Sequence, residues 1–119
     1  MEFTGPNTEL LSRMLAASEM RYRVFASNLA NANTPGYRRQ VVGFEDALQK
    51  AIEDGSPKAA TLEPIVRTDE ESPARPDGNN VSLELEINGM RENRLLYETY
   101  ATILQNHFAI LEHAIKGGN

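Results

Sequence analysis

Asn28-Leu29-Ala30-Asn31-Ala32-Asn33-Thr34-Pro35-Gly36-Tyr37-Arg38 is the stretch on which the reading of this chain turns. An apolar-periodic segment precedes it, and Thr34-Pro35-Gly36 ends that segment. A residue before proline is pushed out of the α region, and Pro-Gly suits the two central positions of a type II turn. The asparagines are less expected. Asn is a poor helix-interior residue because its amide competes for backbone groups. Three of them, at 28, 31 and 33, either cap the helix or reach toward another chain.

Upstream, Leu11, Leu15, Ser18, Tyr22, Phe25, Leu29 and Ala32 recur at alternating spacings of four and three. That heptad spacing predicts a helix over 8–33 with a coiled-coil seam. Glu9 with Arg13 and Glu19 with Arg23 are i,i+4 pairs in the favourable order. Downstream the pattern changes. Phe44, Ala47, Leu48, Ala51 and Ile52 predict a short amphipathic helix ended by Gly55 and Pro57. Leu62–Val66 reads as an extended piece that Pro64 confines to a sheet edge. Thr68 to Asn80 has little to bury and reads as a mobile linker or loop.

From about Val81 to Ile115 a second long helix is predicted. Ile87, Met90, Arg94, Tyr97, Ala101, Leu104, Phe108, Leu111 and Ile115 form one row, and Leu96, Tyr100, Ile103, Ile110 and Ala114 a second beside it. Gly89 is expected to weaken the first turns by about 1 kcal/mol relative to Ala, and Gly117-Gly118 to stop the helix. One antiparallel partner covers a stripe of roughly 100°. Two apolar rows exceed that, so the surplus points to other chains, unless the middle segment folds back over it.

The totals exclude several classes. At 119 residues there is room for one domain or elongated module. Twelve basic against 17 acidic residues give a net charge of -5, which argues against nucleic acid and against a polybasic membrane anchor. Without cysteine there is no disulfide scaffold, thiolate metal site or thiol nucleophile. Residues 1–9 are polar, so no cleavable secretory signal is expected, and no apolar run is long enough to span a membrane. His107 and His113 point to different faces of the second helix, so they do not share a metal. There is no nucleophile elbow, Gly-rich phosphate loop or carboxylate in a pocket-like apolar context. No enzyme, cofactor or metal site is expected.

The run Ala26 to Tyr37 closely resembles the N-terminal signature of the axial proteins of the bacterial flagellum, the rod and hook subunits. A second run, Arg75-Pro76-Asp77-Gly78-Asn79-Asn80-Val81-Ser82-Leu83-Glu84, followed by Glu92-Asn93-Arg94-Leu95-Leu96-Tyr97, is similar to the C-terminal half of the FlgB-type proximal rod family. The resemblance covers about 10–39 and 75–115. Asn80 stands where a threonine is common in that family, and Gly89 where a better helix former is expected.

The resemblance implies a mainly α protein whose long N- and C-terminal helices pair as an antiparallel, coiled-coil-like hairpin. Residues 1–37 carry the first helix and the Asn-rich turn, 38–80 an irregular middle segment, and 81–119 the last helix. The turn signature is Asn28, Leu29, Ala30, Asn31, Asn33, Thr34, Pro35, Gly36 and Tyr37. The expected intrachain seam joins Leu11, Leu15, Tyr22, Phe25 and Leu29 to Tyr97, Leu104, Phe108 and Leu111. Leu96, Tyr100, Ile103 and Ile110 are expected to meet neighbouring subunits, and Asn28, Asn31 and the Thr34–Tyr37 turn to fix the angle at which the chain leaves the tube and to bond across the interface. The implied role is structural, in the periplasm-spanning rod of the basal body. The implied partners are other rod subunits, a FliE-type adaptor, the membrane ring protein and the flagellar type III export apparatus, with no small-molecule substrate. A soluble helical-hairpin adaptor or export chaperone, or another rod subunit of the axial family, is the alternative.

Overall fold

Pro6 opens α1 (Pro6–Ala30), where its missing N–H costs nothing and its fixed φ suits the first turn. The computed structural model describes residues 6–117. Residues 1–5 and 118–119, which include the start of the polar N-terminus and the second glycine of the expected stop, lie outside the described residues. After Ala30 the chain tightens into turns. Asn31 donates its side-chain amide to the Ser27 carbonyl at 2.8 Å, which is a cap, and Tyr37 N–H reaches the Thr34 carbonyl at 3.2 Å. Gly36 has φ +75°, the left-handed value that the third residue of a type II turn requires.

The middle of the chain is a small, ordered module. β1 (Gln40–Gly43) and β2 (Ile65–Thr68) pair antiparallel, with Gln40 opposite Thr68 and Gly43 opposite Ile65. The extended piece begins after Pro64, and with only two strands it is an edge by construction. Between the strands lie α2 (Glu45–Glu53) and a 3-10 helix (Pro57–Thr61) that Ser56 caps by accepting the Lys58 N–H. Phe44 and Leu48 turn inward onto Ala17 of α1, with Leu10, Met14, Ala59 and Leu62 around them. Arg13 of α1 holds the Leu62 carbonyl at 3.1 Å and the Glu63 carboxylate at 2.6 Å, closing the module onto the helix.

α3 (Leu83–Gly117) runs antiparallel along another side of α1 and is continuous through Gly89. Ser82 opens it by accepting from Leu85 N–H at 3.4 Å, and Glu86 N–H bonds the Ser82 carbonyl at 2.9 Å. Gly89 has a packing reason. A Cβ there would sit 2.7 Å from two ring carbons of Phe25, so the glycine lets that ring lie on the α3 backbone.

α1 is therefore the centre of three layers, α3 on one side and the middle module on another. The row Leu10, Met14, Ala17, Val24 and Asn28, one position behind the predicted seam, faces the module and α3. The molecule measures 68 × 29 × 15 Å. A slab one to two helices thick has no interior in the ordinary sense, and its large apolar residues stay partly in water.

Candidate assembly site

The best-buried side chains near the Asn-rich turn are polar. Asn28 is fully buried in the last turns of α1, and its amide satisfies its whole hydrogen-bonding capacity inside the chain. Its Nδ2 donates to the Gln40 carbonyl at 2.9 Å and to Glu86 Oε2 at 3.0 Å. Its Oδ1 accepts from Gln40 N–H at 2.9 Å and from the Tyr37 hydroxyl at 3.0 Å. Asn28 thus grips both backbone groups of Gln40 as a neighbouring strand would. It has no group left to bond across an interface, which corrects the expectation for this residue.

Glu86, also fully buried, receives the Arg39 Nε at 2.6 Å on its other oxygen. Arg39 in turn donates to Asp69 at 2.7 Å, and its backbone N–H bonds Asn80 Oδ1 at 2.6 Å. Burial works against the charged Arg39 guanidinium, but the hydrogen bonds and charges of Glu86 and Asp69 outweigh it and raise its pKa. Asp69 is held well below the usual carboxylate range, first by the Ser72 hydroxyl and then by Arg39 and the backbone N–H groups of Ser72 and Glu71.

The second signature run closes on the first. Asn79, fully buried, donates to the Asn31 and Thr34 carbonyls at 2.8 and 2.9 Å and accepts from Val81 N–H at 2.8 Å. Arg75 reaches the Ala32 and Val81 carbonyls. Gly36 N–H bonds the Asp77 carbonyl at 2.8 Å. Gly78, at φ +88°, lets the two turns touch, since a Cβ there would sit 3.2 Å from the Gly36 Cα. Residues 69–80 are not a free linker. Low hydrophobicity predicted mobility, but hydrogen bonds to the turn and to Arg39 replace the missing apolar burial.

Two turns further along the helices, Arg21 joins all three layers. It forms an ion pair with Glu45 of α2 and reaches Asn93 Oδ1 at 3.4 Å, while Asn93 Nδ2 bonds the Ser18 carbonyl at 2.8 Å. Sequence reasoning singled out none of Arg21, Arg39, Glu45 or Glu86. Their signal was present, since Glu86 interrupts apolar spacing at a position one turn before Gly89, but only the fold pairs it with an arginine.

Of the expected seam, Leu111 is buried and Leu11, Leu15, Phe25, Leu29 and Leu104 are half-buried. Tyr22, Tyr97 and Phe108 depart from that expectation. They remain 55%, 39% and 46% exposed, because the helices meet through small or polar residues and leave these rings beside the contact. Tyr22 and Tyr97 instead border a groove of about 590 Å³ between α1 and α3, floored by Ile87, Met90, Ser18 and Asn93. On the other flank of α3, Leu96, Ile103 and Ile110 are exposed. Tyr100 is half-buried near Arg21 and Glu45, and burial, then the Glu45 charge, pushes its phenol up. Asn31 and Tyr37 of the signature are half-buried, and Ala30, Asn33, Thr34, Pro35 and Gly36 are exposed.

A thin helical hairpin, locked at one end by a polar clasp and with large apolar side chains exposed along α3, is the architecture of a structural subunit. Comparison with known proteins agrees. Residues 15–38 match the family model described as flagella basal body rod protein. The flagellar basal body rod protein FlgB of Cereibacter sphaeroides is 32% identical over 118 residues, spanning 89% of this chain and 91% of the relative. FlgB of Salmonella typhimurium is 28% identical, spanning 83% and 85%, and FlgB of Borrelia hermsii 27%, spanning 92% and 96%. The chain belongs to the FlgB family of flagellar basal body rod proteins and is a structural subunit of that assembly.

Proposed function

We propose that this subunit occupies the proximal, periplasm-spanning part of the rod, transmits torque there, and reaches it through the flagellar type III apparatus without a cleaved signal. Its neighbours in this reading are other rod subunits, the FliE-type adaptor and the membrane ring protein. The terminal segments, 1–37 and 81–119, act as one axial unit, and 38–80 braces it. The largely half-buried seam around Leu11, Leu15, Phe25, Leu104 and Leu111 adds to the polar contacts that hold the hairpin, while Leu96, Ile103 and Ile110 meet adjacent subunits.

One observation carries this reading: α3 keeps large apolar side chains exposed on both flanks while the chain's own hydrogen bonds are spent on fixing its geometry. Many weak lateral contacts, repeated by symmetry, then give a stiff shaft from thin subunits. The test is deletion of the gene in its host, with a wild-type copy restored as control, followed by imaging of purified basal bodies. Loss of rod and filament with retention of the membrane ring is expected. Normal flagella would refute the assignment.

A further inference from the structure

The two edges of the β1–β2 sheet are finished differently. On β1 the Gln40 N–H and carbonyl both point away from β2, and Asn28 of α1 takes both. On β2 nothing does the same. The phase of the ladder follows from the Asp69 N–H, which bonds the Arg39 carbonyl at 2.9 Å, and from the register of Val41 opposite Arg67 and Val42 opposite Val66. In an antiparallel pair, residues that exchange bonds alternate with residues whose groups face outward. Arg67 and Asp69 therefore face β1, while Val66 and Thr68 turn both N–H and carbonyl to the outside. Neither finds a main-chain partner there among the described residues. All four residues of β2 are exposed, Ile65 by 64% and Val66 by 41%. Pro64, the next outward position, offers a carbonyl without an N–H and bounds the edge on that side. At the other end a polar hollow of about 360 Å³ opens between Val41, Arg67, Thr68, Asp69, Glu70 and Glu71. Asp69 is paired with Arg39, but Glu70 and Glu71 are exposed and form no ion pair among the described residues.

We infer that the β2 edge accepts an extended segment of another protein as a third strand, one with a β-branched residue opposite Val66 and a lysine or arginine in the acidic hollow. Main-chain bonds to Val66 and Thr68 supply the attachment, and the side chains set opposite them supply the choice. Charge selects the partner, since two free carboxylates beside the strand end attract a cation and repel an acidic segment. A second copy of this chain, laid antiparallel, fits poorly. Where its Val66 pairs with Thr68, the two Arg67 side chains stand directly opposite, and like charges there are destabilising. Sliding either way brings Pro64 or the turn at Asp69 into the ladder. The open edge is a property of the subunit itself, whatever position the chain takes in the rod.

The test titrates the purified, isotope-labelled full-length chain with the peptide acetyl-Lys-Thr-Val-Thr-Val-Thr-Lys-amide and follows its amides by NMR. Saturable shifts at Val66 and Thr68 are expected. With peptide at about ten times its dissociation constant, hydrogen exchange at those two amides should slow by about tenfold. The analogue with glutamate in place of both lysines should do neither. Val66→Pro removes an outward N–H and leaves the bonds to β1 intact, so it should keep the spectrum outside β2 and lose the peptide. Glu70→Lys/Glu71→Lys changes only exposed positions beyond the strand and should weaken binding by at least about tenfold. Glu70→Lys alone leaves Glu71 in place and should cost less. If Val66→Pro disturbs the fold, the double lysine variant decides. Val66 and Thr68 amides that ignore the lysine peptide at millimolar concentration would overturn the inference, as would equal binding of the glutamate analogue or undiminished binding to a folded Val66→Pro. None of these results touches the rod assignment, which the basal-body images decide separately.

Discussion

Replacing Asn28 tests whether the clasp holds the free subunit. Asn28→Ala removes four hydrogen bonds at once and strands the Gln40 N–H, the Gln40 carbonyl and one Glu86 oxygen. The Tyr37 hydroxyl is half-buried and keeps Ser27 Oγ at 3.5 Å, so it loses least. A buried group left unpaired costs about 1–3 kcal/mol. The three do not add fully, since water enters the space the amide vacates, and the expected loss is about 3–5 kcal/mol. A domain of this size has about 5–15 kcal/mol in total. With a urea slope of about 2 kcal/mol/M, the midpoint falls by about 2 M.

Asn28→Asp sharpens the test because it keeps the shape and exchanges a donor for an acceptor. Its second oxygen would lie where Nδ2 now stands, 3.0 Å from Glu86 Oε2. At an effective dielectric of about 20, two such charges repel by about 5 kcal/mol. The new carboxyl therefore has a folded pKa raised above its unfolded value. Its destabilisation is full above that raised pKa and is relieved as pH falls through it, when one proton shared by the pair restores a donor. Urea titrations followed by far-UV circular dichroism at about pH 7 and about pH 5 would show this, with the exposed Asn33→Ala as a control expected within about 0.5 kcal/mol of wild type. If Asn28→Ala behaves like that control, the clasp does not hold the free chain.

Phe44→Ala should cost about 3–5 kcal/mol by chemical denaturation, because the ring is 1% exposed and anchors the middle module on Ala17. Gly89→Leu should destabilise by about 1–3 kcal/mol despite better helix propensity, since its Cβ meets the Phe25 ring. Adding Phe25→Ala should recover much of that loss, and additive losses in the double-mutant cycle would refute the contact. Asp69, whose folded pKa is depressed, contributes stability that is complete above the ordinary carboxylate pKa of about 3.9 and is lost as pH falls below it. Asp69→Asn should flatten that acid limb, and an unchanged limb would show that other carboxylates set it. Leu104→Asp should abolish swimming by placing a charge in the half-buried seam, whereas charge reversal at the exposed Glu70 should leave motility near wild type.

The long helices were legible because their rows of apolar residues repeat every three and four positions over many turns. The stop at Thr34-Pro35-Gly36 was legible because proline and glycine constrain φ locally. What was not legible depends on partners distant in sequence. Gly89 reads as a defect in its own helix and becomes intelligible only when Phe25, 64 positions earlier, lies across it. The segment 69–80 lacks the hydrophobicity that signals order, and its order comes from Asn79 and Asn80 bonding the backbone on either side of the turn. Periodicity also chose one row of α1 and passed over its neighbour. Leu10, Met14, Ala17 and Val24 carry the same spacing, and Ala17 and Val24 of that row are buried while Leu11, Leu15, Phe25 and Leu29 stay half-buried.

The distribution of polar and apolar groups follows from the subunit's job. An ordinary hairpin would lock its helices by burying leucines between them, and those leucines would then be unavailable to neighbours. Here Asn28, Asn79, Asn93, Arg39 and Glu86 fix the angle and register of α1 against α3. A hydrogen-bond network with a charged pair at its centre tolerates little sliding, since a shift of one residue would leave several buried groups unpaired. Leu96, Ile103, Ile110, Tyr97 and Phe108 are thereby left at the surface. In a filament every subunit must present its contacts at the same angle, because an error in one is repeated or compounded by the next. A rigid polar clasp with exposed apolar flanks meets that demand, and a greasy seam alone, free to slip by a heptad, does not.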